Sequence, residues 1–270
     1  MEPTLQPPLT DAGHSRELAA ALRGALEAVS LPGAGVTALD GTTNPHTDAD
    51  RDAGAILTQQ LTQILPGVPV VSEEDELTTP PRDGTYWLVD PLDGTLNVLR
   101  GEGAVAVSVA LFHEHQCVAG AVRRLDRDEA AVAVAHQLNP DLPAAHRRPE
   151  RPANLVFVSF GMPARPSQEL TGMVGPLRAC WERDWITRQS GSAASDVLSV
   201  ATGTLDAFFE QGVEPWDVAA ADHIARASGC VSWTRTRSTR REGIGSINYV
   251  VAATPDLLAV LVASIEAQGE

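Results

Sequence analysis

The sequence contains no lysine: its 20 basic residues are all arginines, set against 35 acidic residues in a chain of 270. A lysine nucleophile or Schiff base is therefore excluded. The formal net charge of -15 argues against a nucleic-acid polymer as partner, because binding a phosphate backbone requires a positive field. A small phosphorylated metabolite is compatible with this charge, since bound magnesium would reverse the sign locally.

Cysteines and long apolar runs are also scarce. Cys117, Cys180 and Cys230 are odd in number and far apart, so we expect free thiols and neither a disulfide framework nor a zinc site. No run of about 18 apolar residues exists, and residues 1–9 are Pro-rich and unlike an export leader. We therefore expect a soluble cytoplasmic protein with no membrane association, long enough to bury a substantial core.

The most informative segment is residues 87–95, Trp-Leu-Val-Asp-Pro-Leu-Asp-Gly-Thr. Residues 86–89 form an apolar strand-like run, so Asp90 and Asp93 are predicted just past its end. Gly94 and Thr95 would then open a turn whose backbone N–H groups can face an anion. Hard carboxylate oxygens suit Mg²⁺ better than Zn²⁺. For this segment alone, a solvated Asp-Gly turn is an equally good interpretation.

Four other segments accompany it: Thr47-Asp48-Ala49-Asp50, Ser72-Glu73-Glu74, Gly191-Ser192-Ala193-Ala194 and, from position 214, Glu-Pro-Trp-Asp-Val-Ala-Ala. In this order the motifs resemble the inositol monophosphatase family, from roughly residue 33 to the C-terminus. The resemblance implies a layered αβαβα sandwich (an α/β or α+β fold) and Mg²⁺-dependent hydrolysis of a phosphate monoester. It also implies sensitivity to lithium and a possible homodimer.

The resemblance assigns the metal ligands. Glu73, Asp90 and the carbonyl of Leu92 would hold one Mg²⁺, and Asp90, Asp93 and Asp217 would hold a second. Glu73 would also reach a third, more weakly held ion. From the residues alone, Glu73 could belong to an exposed acidic turn, and Asp217 could simply favour the positive end of a helix.

The catalytic and substrate-binding groups follow from the same resemblance. The hydroxyl of Thr95, backed by Asp50, would orient the attacking water, and Asp93 completes the catalytic set. Helix capping is the alternative role for Thr95 and Asp50, and it is compatible with catalysis. Backbone N–H groups of Gly94 and Thr95 would bind the phosphate, and the ring of the substrate would contact Gly191, Ala193 and Glu210.

These contacts favour inositol monophosphate or a similar polyol phosphate as substrate. Bisphosphate nucleotidases and histidinol-phosphate phosphatases, which share the metal chemistry, are alternatives, as is a metal-binding scaffold without turnover. Arginines at 235, 237, 240 and 241 could grip a second phosphate, although a solvated loop between strands is the favoured interpretation.

The chain departs from the family pattern in three places. The usual lysine of a mobile loop is replaced near residues 38–40, the expected aromatic after the Gly-Thr-x-Asn segment is Val98, and a Gly-rich segment is missing from residues 137–152. These departures affect loop closure and specificity, and they leave the metal ligands intact.

Periodicity predicts the following elements. Helices are expected over residues 15–30, 48–65, 167–179, 192–202 and 215–228, with a last helix capped by Thr254. Strands are expected over 68–71, 86–89, 154–160 and 206–210, with an antiparallel meander over 104–112, 117–122 and 129–135. We expect one domain of two packed halves (12–136, metal-binding; 153–270, substrate-binding and supplying Asp217), a tail (1–11) and a linker (137–152).

Overall fold

The computed structural model describes residues 12–30, 47–74, 81, 83–101, 103–138, 155–162, 170–236 and 245–267. Its helices are α1 (Ala12–Glu27), α2 (Asp48–Ile64), α3 (Thr95–Arg100), α4 (Leu170–Trp181), α5 (Ala193–Ala201), α6 (Pro215–Ala227) and α7 (Pro255–Glu266). Its strands are β1 (Val70–Ser72), β2 (Thr85–Asp93), β3 (Ala106–His113), β4 (Gln116–Arg124), β5 (Glu129–Val134), β6 (Gln137–Leu138), β7 (Phe157–Phe160), β8 (Ile186–Arg188), β9 (Ala207–Val213), β10 (Val231–Thr236) and β11 (Ile247–Ala252).

The strands form two sheets. The first has the order β1-β2-β3-β4-β5-β6, and only its β1–β2 pair is parallel. The second has the order β10-β11-β9-β7-β8, in which β7 runs parallel to both of its neighbours. The predicted meander is β3 to β5, and the short predicted strand before Glu73 is β1.

Three apolar cores stack the helices and sheets into five layers. One core joins α1 and α2 to the first sheet, and another packs α5 and α6 between the two sheets. The third joins α4 and α7 to the outer face of the second sheet. This order is the αβαβα sandwich that the resemblance implied.

Local capping explains where the site-bearing helices begin. Thr47 and Asp50 form a capping box at the start of α2, and Glu214 and Asp217 form another at the start of α6. Thr254 caps α7 as predicted, accepting a hydrogen bond from the N–H of Leu257. The two capping boxes place Asp50 and Asp217 in the first turns of their helices, where backbone N–H groups orient carboxylates.

The prediction that Asp90 and Asp93 follow a strand was wrong. Strand β2 continues to Asp93, because Asp90 pairs with Ser108 and the ladder to β3 resumes at Asp93 opposite Ala106. The two residues in between, Pro91 and Leu92, form a bulge. A bulge leaves a residue without a ladder hydrogen bond, so Pro91, which has no N–H to donate, is tolerated there. Apolar periodicity missed this extension because the acidic residues lie in the strand itself.

Other predictions need correction or fall outside the described residues. Residues 137 and 138, predicted as linker, form β6 against β5. Strands β8, β10 and β11 were not predicted, and Arg235 lies in β10 instead of a loop. The tail 1–11, residues 38–40 and 139–152, and the arginines at 237, 240 and 241 lie outside the described residues.

Two further sequence expectations concern the cysteines and the membrane. Cys117, Cys180 and Cys230 form no disulfide bonds, as predicted. Across the described ranges, no helix combines the length and the apolarity needed to cross a bilayer.

Helix α6 packs directly on β4 at a glycine. A Cβ atom on Gly120 would overlap the carbonyl oxygen of Ala220 in α6, so the close approach requires a residue without a side chain. Because α6 also carries Asp217, this contact links packing between the layers to the position of a candidate site residue.

We therefore expect Gly120→Ala to lower the free energy of unfolding by about 1–3 kcal/mol through overpacking. Chemical denaturation measures this change. The control is Gly24→Ala in α1, where an added Cβ meets nothing within 4 Å. Alanine should stabilise that exposed helix position by about 0.5–1 kcal/mol. Equal effects at the two positions would contradict the proposed tight contact.

Candidate active site

Three carboxylates from three elements converge at one end of the first sheet. Asp90 lies in β2, Glu73 follows the parallel strand β1, and Asp217 lies in the first turn of α6. One ligand oxygen of each lies within 4.8 Å of the others. The backbone N–H of Glu73 donates to the carbonyl of Val89 (3.1 Å), which fixes the register of Glu73 beside Asp90.

The surroundings make this cluster costly without a cation. Burial raises the pKa of Asp90 well above its usual value, and repulsion from Glu73, Asp93 and Asp217 adds to this effect. Burial likewise raises the pKa of Asp217, with repulsion from Glu73, Asp93 and Glu210. Hard oxygen ligands that repel one another at this spacing fit a small divalent cation.

Asp90 is held in place within the bulge itself. Its side chain is only 1 % exposed, and its Oδ1 accepts a hydrogen bond from the backbone N–H of Leu92 (3.0 Å). The carbonyl of Leu92, a predicted metal ligand, lies 3.1 Å from the hydroxyl of Thr95. Residues 90–95 therefore present a carboxylate, a carbonyl and a hydroxyl in one short stretch of chain.

Asp93 connects this stretch to the second half of the chain. Its Oδ2 accepts hydrogen bonds from the hydroxyl of Ser192 (2.7 Å) and the backbone N–H of Ala194 (2.6 Å). Burial raises the pKa of Asp93 to about 6, although these two bonds oppose the shift. Asp93 lies outside the three-carboxylate cluster.

The predicted Thr95–Asp50 pair is present. The hydroxyl of Thr95 lies 2.9 Å from Oδ1 of Asp50, which is 2 % exposed. The other oxygen of Asp50 accepts from the N–H of Thr47 (2.8 Å) and from its hydroxyl. The capping box at the start of α2 therefore holds Asp50. The capping role considered for Thr95 was wrong, because α3 begins at Thr95 after Gly94, and no side-chain hydrogen bond caps it.

Glycines shape the surface beside the cluster. Gly94 has φ 99°, and a Cβ there would lie 2.5 Å from the carbonyl oxygen of Ala104. Gly191 has φ 82° and lies against the side chain of Asn97. The amide of Asn97 donates to the carbonyls of Ala104 (2.7 Å) and Ser190 (2.9 Å). Neither Asn97 nor Ser192 was predicted from the sequence to have a role, although both lie within the motifs described above.

Glu210, a predicted substrate contact, lies in β9 near the cluster. Its charge contributes to the raised pKa of Asp217, so the two carboxylates are close in space. Gly161 lies against the carboxylate of Glu210, because a Cβ there would overlap Oε2. Buried Ala193 begins α5, next to the Ser192 cap that binds Asp93. Two predicted substrate contacts are thus tied to predicted metal ligands, Ala193 through the Ser192 cap that binds Asp93 and Glu210 through its repulsion of Asp217.

Comparison with known proteins identifies the class. The inositol monophosphatase family model matches residues 12–270. The chain is 34 % identical to an inositol-1-monophosphatase of Mycobacterium bovis over 251 residues, covering 86 % of this chain and 81 % of that protein. It is 29 % identical to a putative Nus factor SuhB of Neisseria meningitidis over 224 residues, covering 82 % of this chain and 84 % of that protein.

A solved structure agrees with these relatives. The extragenic suppressor protein suhB of Bartonella henselae superimposes with a TM-score of 0.71 at 26 % identity, covering 93 % of this chain and 95 % of that chain. The chain belongs to the inositol monophosphatase family. It is accordingly a phosphatase, a phosphoric monoester hydrolase, which confirms the predicted family, fold and enzyme class.

The carboxylate cluster makes a testable prediction for stability in EDTA. A carboxyl group whose pKa is raised in the folded protein stabilises it at low pH, and this stability is lost as pH rises through the folded pKa. Because the pKa values of Asp90 and Asp217 are raised well above their usual range, we expect Tm in EDTA to fall between pH 6.5 and 8.5. A divalent cation should restore it by binding the folded protein.

Thermal denaturation at the two pH values measures the effect. Below pH 6.5 the buried His223, whose pKa is lowered to about 4, would act in the opposite direction, so the comparison stays above that value. Asp90→Asn removes one repelling charge and should raise the Tm in EDTA at pH 8.5. The same variant should also show a smaller rise in Tm when the divalent cation is added. A lower Tm in EDTA for this variant would contradict the repulsion argument.

Proposed function

We propose that the protein hydrolyses the phosphate monoester of a small polyol, such as inositol monophosphate, with Mg²⁺ as its cofactor. The observation that carries this proposal is the convergence of Glu73, Asp90 and Asp217 beside the Thr95–Asp50 hydrogen bond. Both halves of the chain contribute to this candidate active site, because Asp217 comes from the second half and the other residues come from the first.

The oxygen ligands and their mutual repulsion support two or three Mg²⁺ ions, held as the resemblance implies. Glu73, Asp90 and the Leu92 carbonyl would hold one ion, and Asp90, Asp93 and Asp217 another. Bound magnesium supplies positive charge that neutralises the non-bridging phosphate oxygens and the leaving alkoxide. Asp90 would contribute to both positions, which makes it the least replaceable ligand.

Thr95 and Asp50 supply the path for a proton. A water held at Oγ1 of Thr95 can pass a proton to this oxygen while the hydroxyl proton of Thr95 moves to Oδ1 of Asp50, 2.9 Å away. The water oxygen bonds to phosphorus as the ester bond breaks, and the leaving oxygen takes a proton from a solvent water. Asp50 then releases its proton to solvent, which restores the proton balance. The products are the free alcohol and inorganic phosphate. Thr47 fixes Asp50 in the orientation that this transfer requires.

The substrate is oriented at both of its ends. Backbone N–H groups of Gly94 and Thr95 would bind the phosphate oxygens, since the left-handed Gly94 turns the chain toward the cluster. Glu210 would accept hydrogen bonds from vicinal hydroxyls of the leaving group, with Gly191 and Ala193 lining the same side. A carboxylate at this place favours a polyol, which offers donors, over a second phosphate, which would be repelled.

The experiment that tests the proposal measures phosphate release from inositol 1-phosphate, fructose 1,6-bisphosphate, histidinol phosphate and adenosine 3′,5′-bisphosphate. Each is assayed with Mg²⁺, with EDTA and with added Li⁺. We expect Mg²⁺-dependent preference for the inositol ester and inhibition by Li⁺. Asp90→Asn removes a proposed metal ligand, and its kcat should be lower than that of the wild-type protein by roughly a thousandfold or more. Preference for adenosine 3′,5′-bisphosphate would show that the substrate is a nucleotide and not a polyol phosphate. If no ester released phosphate, a metal-binding scaffold without turnover would be favoured.

Glu210→Gln tests the contact with the leaving group. Loss of a charged acceptor should raise the KM for inositol 1-phosphate by roughly tenfold or more. Hydrolysis of p-nitrophenyl phosphate, which lacks vicinal hydroxyls, should change by less than about threefold. Glu182→Gln, which neutralises an exposed carboxylate paired with Arg178, is the control. It should leave the kinetic constants for both substrates unchanged. An equal loss of kcat/KM for inositol 1-phosphate and for p-nitrophenyl phosphate would contradict a role of Glu210 in specificity.

A further inference from the structure

Asn97 lies where the two halves of the chain meet, and the reaction proposed above gives it no part. It belongs to α3, two residues after Thr95, and its side chain is half-buried. Its Nδ2 donates to two backbone carbonyls, that of Ala104 (2.7 Å) in the first half and that of Ser190 (2.9 Å) in the second. Both hydrogens of one NH₂ group are therefore used to join the halves.

Two glycines enclose this amide. A Cβ atom on Gly103, which has φ 89°, would lie 2.7 to 2.9 Å from the Cγ, Oδ1 and Nδ2 atoms of Asn97. A Cβ atom on Gly191, which has φ 82°, would lie 3.1 Å from Nδ2. The backbone thus approaches the amide closely at both positions, and this close packing restricts the orientation of the amide.

Gly94, whose backbone N–H is a proposed ligand of the phosphate, packs against the first of the two carbonyls. A Cβ atom on Gly94 would lie 2.5 Å from the carbonyl oxygen of Ala104 and 3.4 Å from that of Gly191. The carbonyl of Ala104 therefore contacts Gly94 and also accepts a hydrogen bond from Asn97. The proposed phosphate-binding turn and the amide of Asn97 thus share one backbone group.

The second carbonyl belongs to the proposed alcohol side of the site. Ser190 lies in the loop of residues 189–193, which connects β8 to α5 and carries Gly191 and Ala193, the proposed contacts of the alcohol. The hydrogen bond from Asn97 to Ser190 spans 93 positions of the chain. It therefore connects the side of the site that would bind phosphate to the side that would bind the alcohol.

The chemistry of these contacts requires a primary amide. Carbonyl oxygens only accept hydrogen bonds, so a carboxylate at position 97 would repel both of them. Alanine would remove the donor from both carbonyls. Glutamine would add a methylene group to a side chain that Gly103 and Gly191 already enclose.

We propose that Asn97 is a positioning residue for substrate specificity: by bridging Ala104 and Ser190, it sets the distance between the phosphate-binding turn and the 189–193 loop. This inference rests on the proposed function for the identity of the ester. Asn97 acts through the two carbonyls and not through contact with the substrate. An ester held at both ends depends on this distance, whereas an ester held mainly by its phosphate does not.

The test measures the kinetic constants of Asn97→Ala with Mg²⁺ on inositol 1-phosphate and p-nitrophenyl phosphate. We expect the KM for inositol 1-phosphate to rise about tenfold, with kcat changed less than about threefold, because ground-state binding is weakened. Both constants for p-nitrophenyl phosphate should change less than about threefold. An equal loss of kcat/KM for the two esters, or an unchanged KM for inositol 1-phosphate, would overturn the proposal.

Gly103→Ala disturbs the same amide without removing it. The added Cβ should displace the side chain of Asn97 and raise the KM for inositol 1-phosphate. In the double variant with Asn97→Ala this clash is absent, so the KM should be no higher than in Asn97→Ala alone. Backbone strain at position 103 is common to both backgrounds and cancels in the comparison. A further rise of KM in the double variant would contradict the proposed bridge.

Arg123→Ala is the matched control. Arg123 in β4 also donates to two backbone carbonyls, those of Leu26 (3.0 Å) and Val29 (2.8 Å), but these follow the course of α1 and its end. This variant should lower Tm while leaving the kinetic constants for both esters unchanged. Hydrogen exchange in the peptide of residues 186–194 should increase in Asn97→Ala and stay unchanged in Arg123→Ala.

Failure of the proposed function would give a different result. If the wild-type protein does not hydrolyse inositol 1-phosphate, the polyol assignment is wrong, and hydrogen exchange decides the role of Asn97. Increased exchange over residues 186–194 in Asn97→Ala, absent in Arg123→Ala, would support the bridge between the two sides of the site. Unchanged exchange in Asn97→Ala would refute it.

Discussion

The constraint on which the rest of this structure depends is the repulsion among carboxylates that the fold buries together. Glu73, Asp90 and Asp217 approach within 4.8 Å, and burial removes the water that would otherwise screen them. Such an arrangement persists only if strong contacts elsewhere fix each chain segment. A cation bound by these carboxylates would offset the cost of their repulsion.

The supports for this cluster come from both halves of the chain. The hydroxyl of Ser108 in β3 donates to the carbonyl of Trp216, immediately before Asp217 (2.9 Å). The close packing of Gly120 against Ala220 sets the height of α6 above the first sheet. Asp93 in turn holds the start of α5 through Ser192 and Ala194. The layers are therefore joined by the residues next to the site.

In the proposed reaction, attack on phosphorus and recognition of the alcohol would use different parts of this framework. The first would depend on β1, β2 and the first turns of α2 and α6. The second would depend on β9, on Gly161 and on residues 189–193, which connect β8 to α5. Asn97 holds that connection by donating to the carbonyl of Ser190.

The sequence by itself determined the features that depend on neighbouring residues. Thr254 before Pro255 predicted the start of α7, and Asp-Pro-x-Asp-Gly-Thr with its companion motifs predicted the family and the identity of the acidic residues. Capping and turn formation involve residues a few positions apart, so their chemistry is visible in the sequence. Only the tertiary structure decided that β2 continues through its bulge to Asp93, that 137–138 form a strand, and that Ser192 and Asn97 tie the halves together. The contacts of Asn97 and Ser192 join residues about 90 to 100 positions apart, and packing of whole layers, not local preference, brings them within hydrogen-bonding distance.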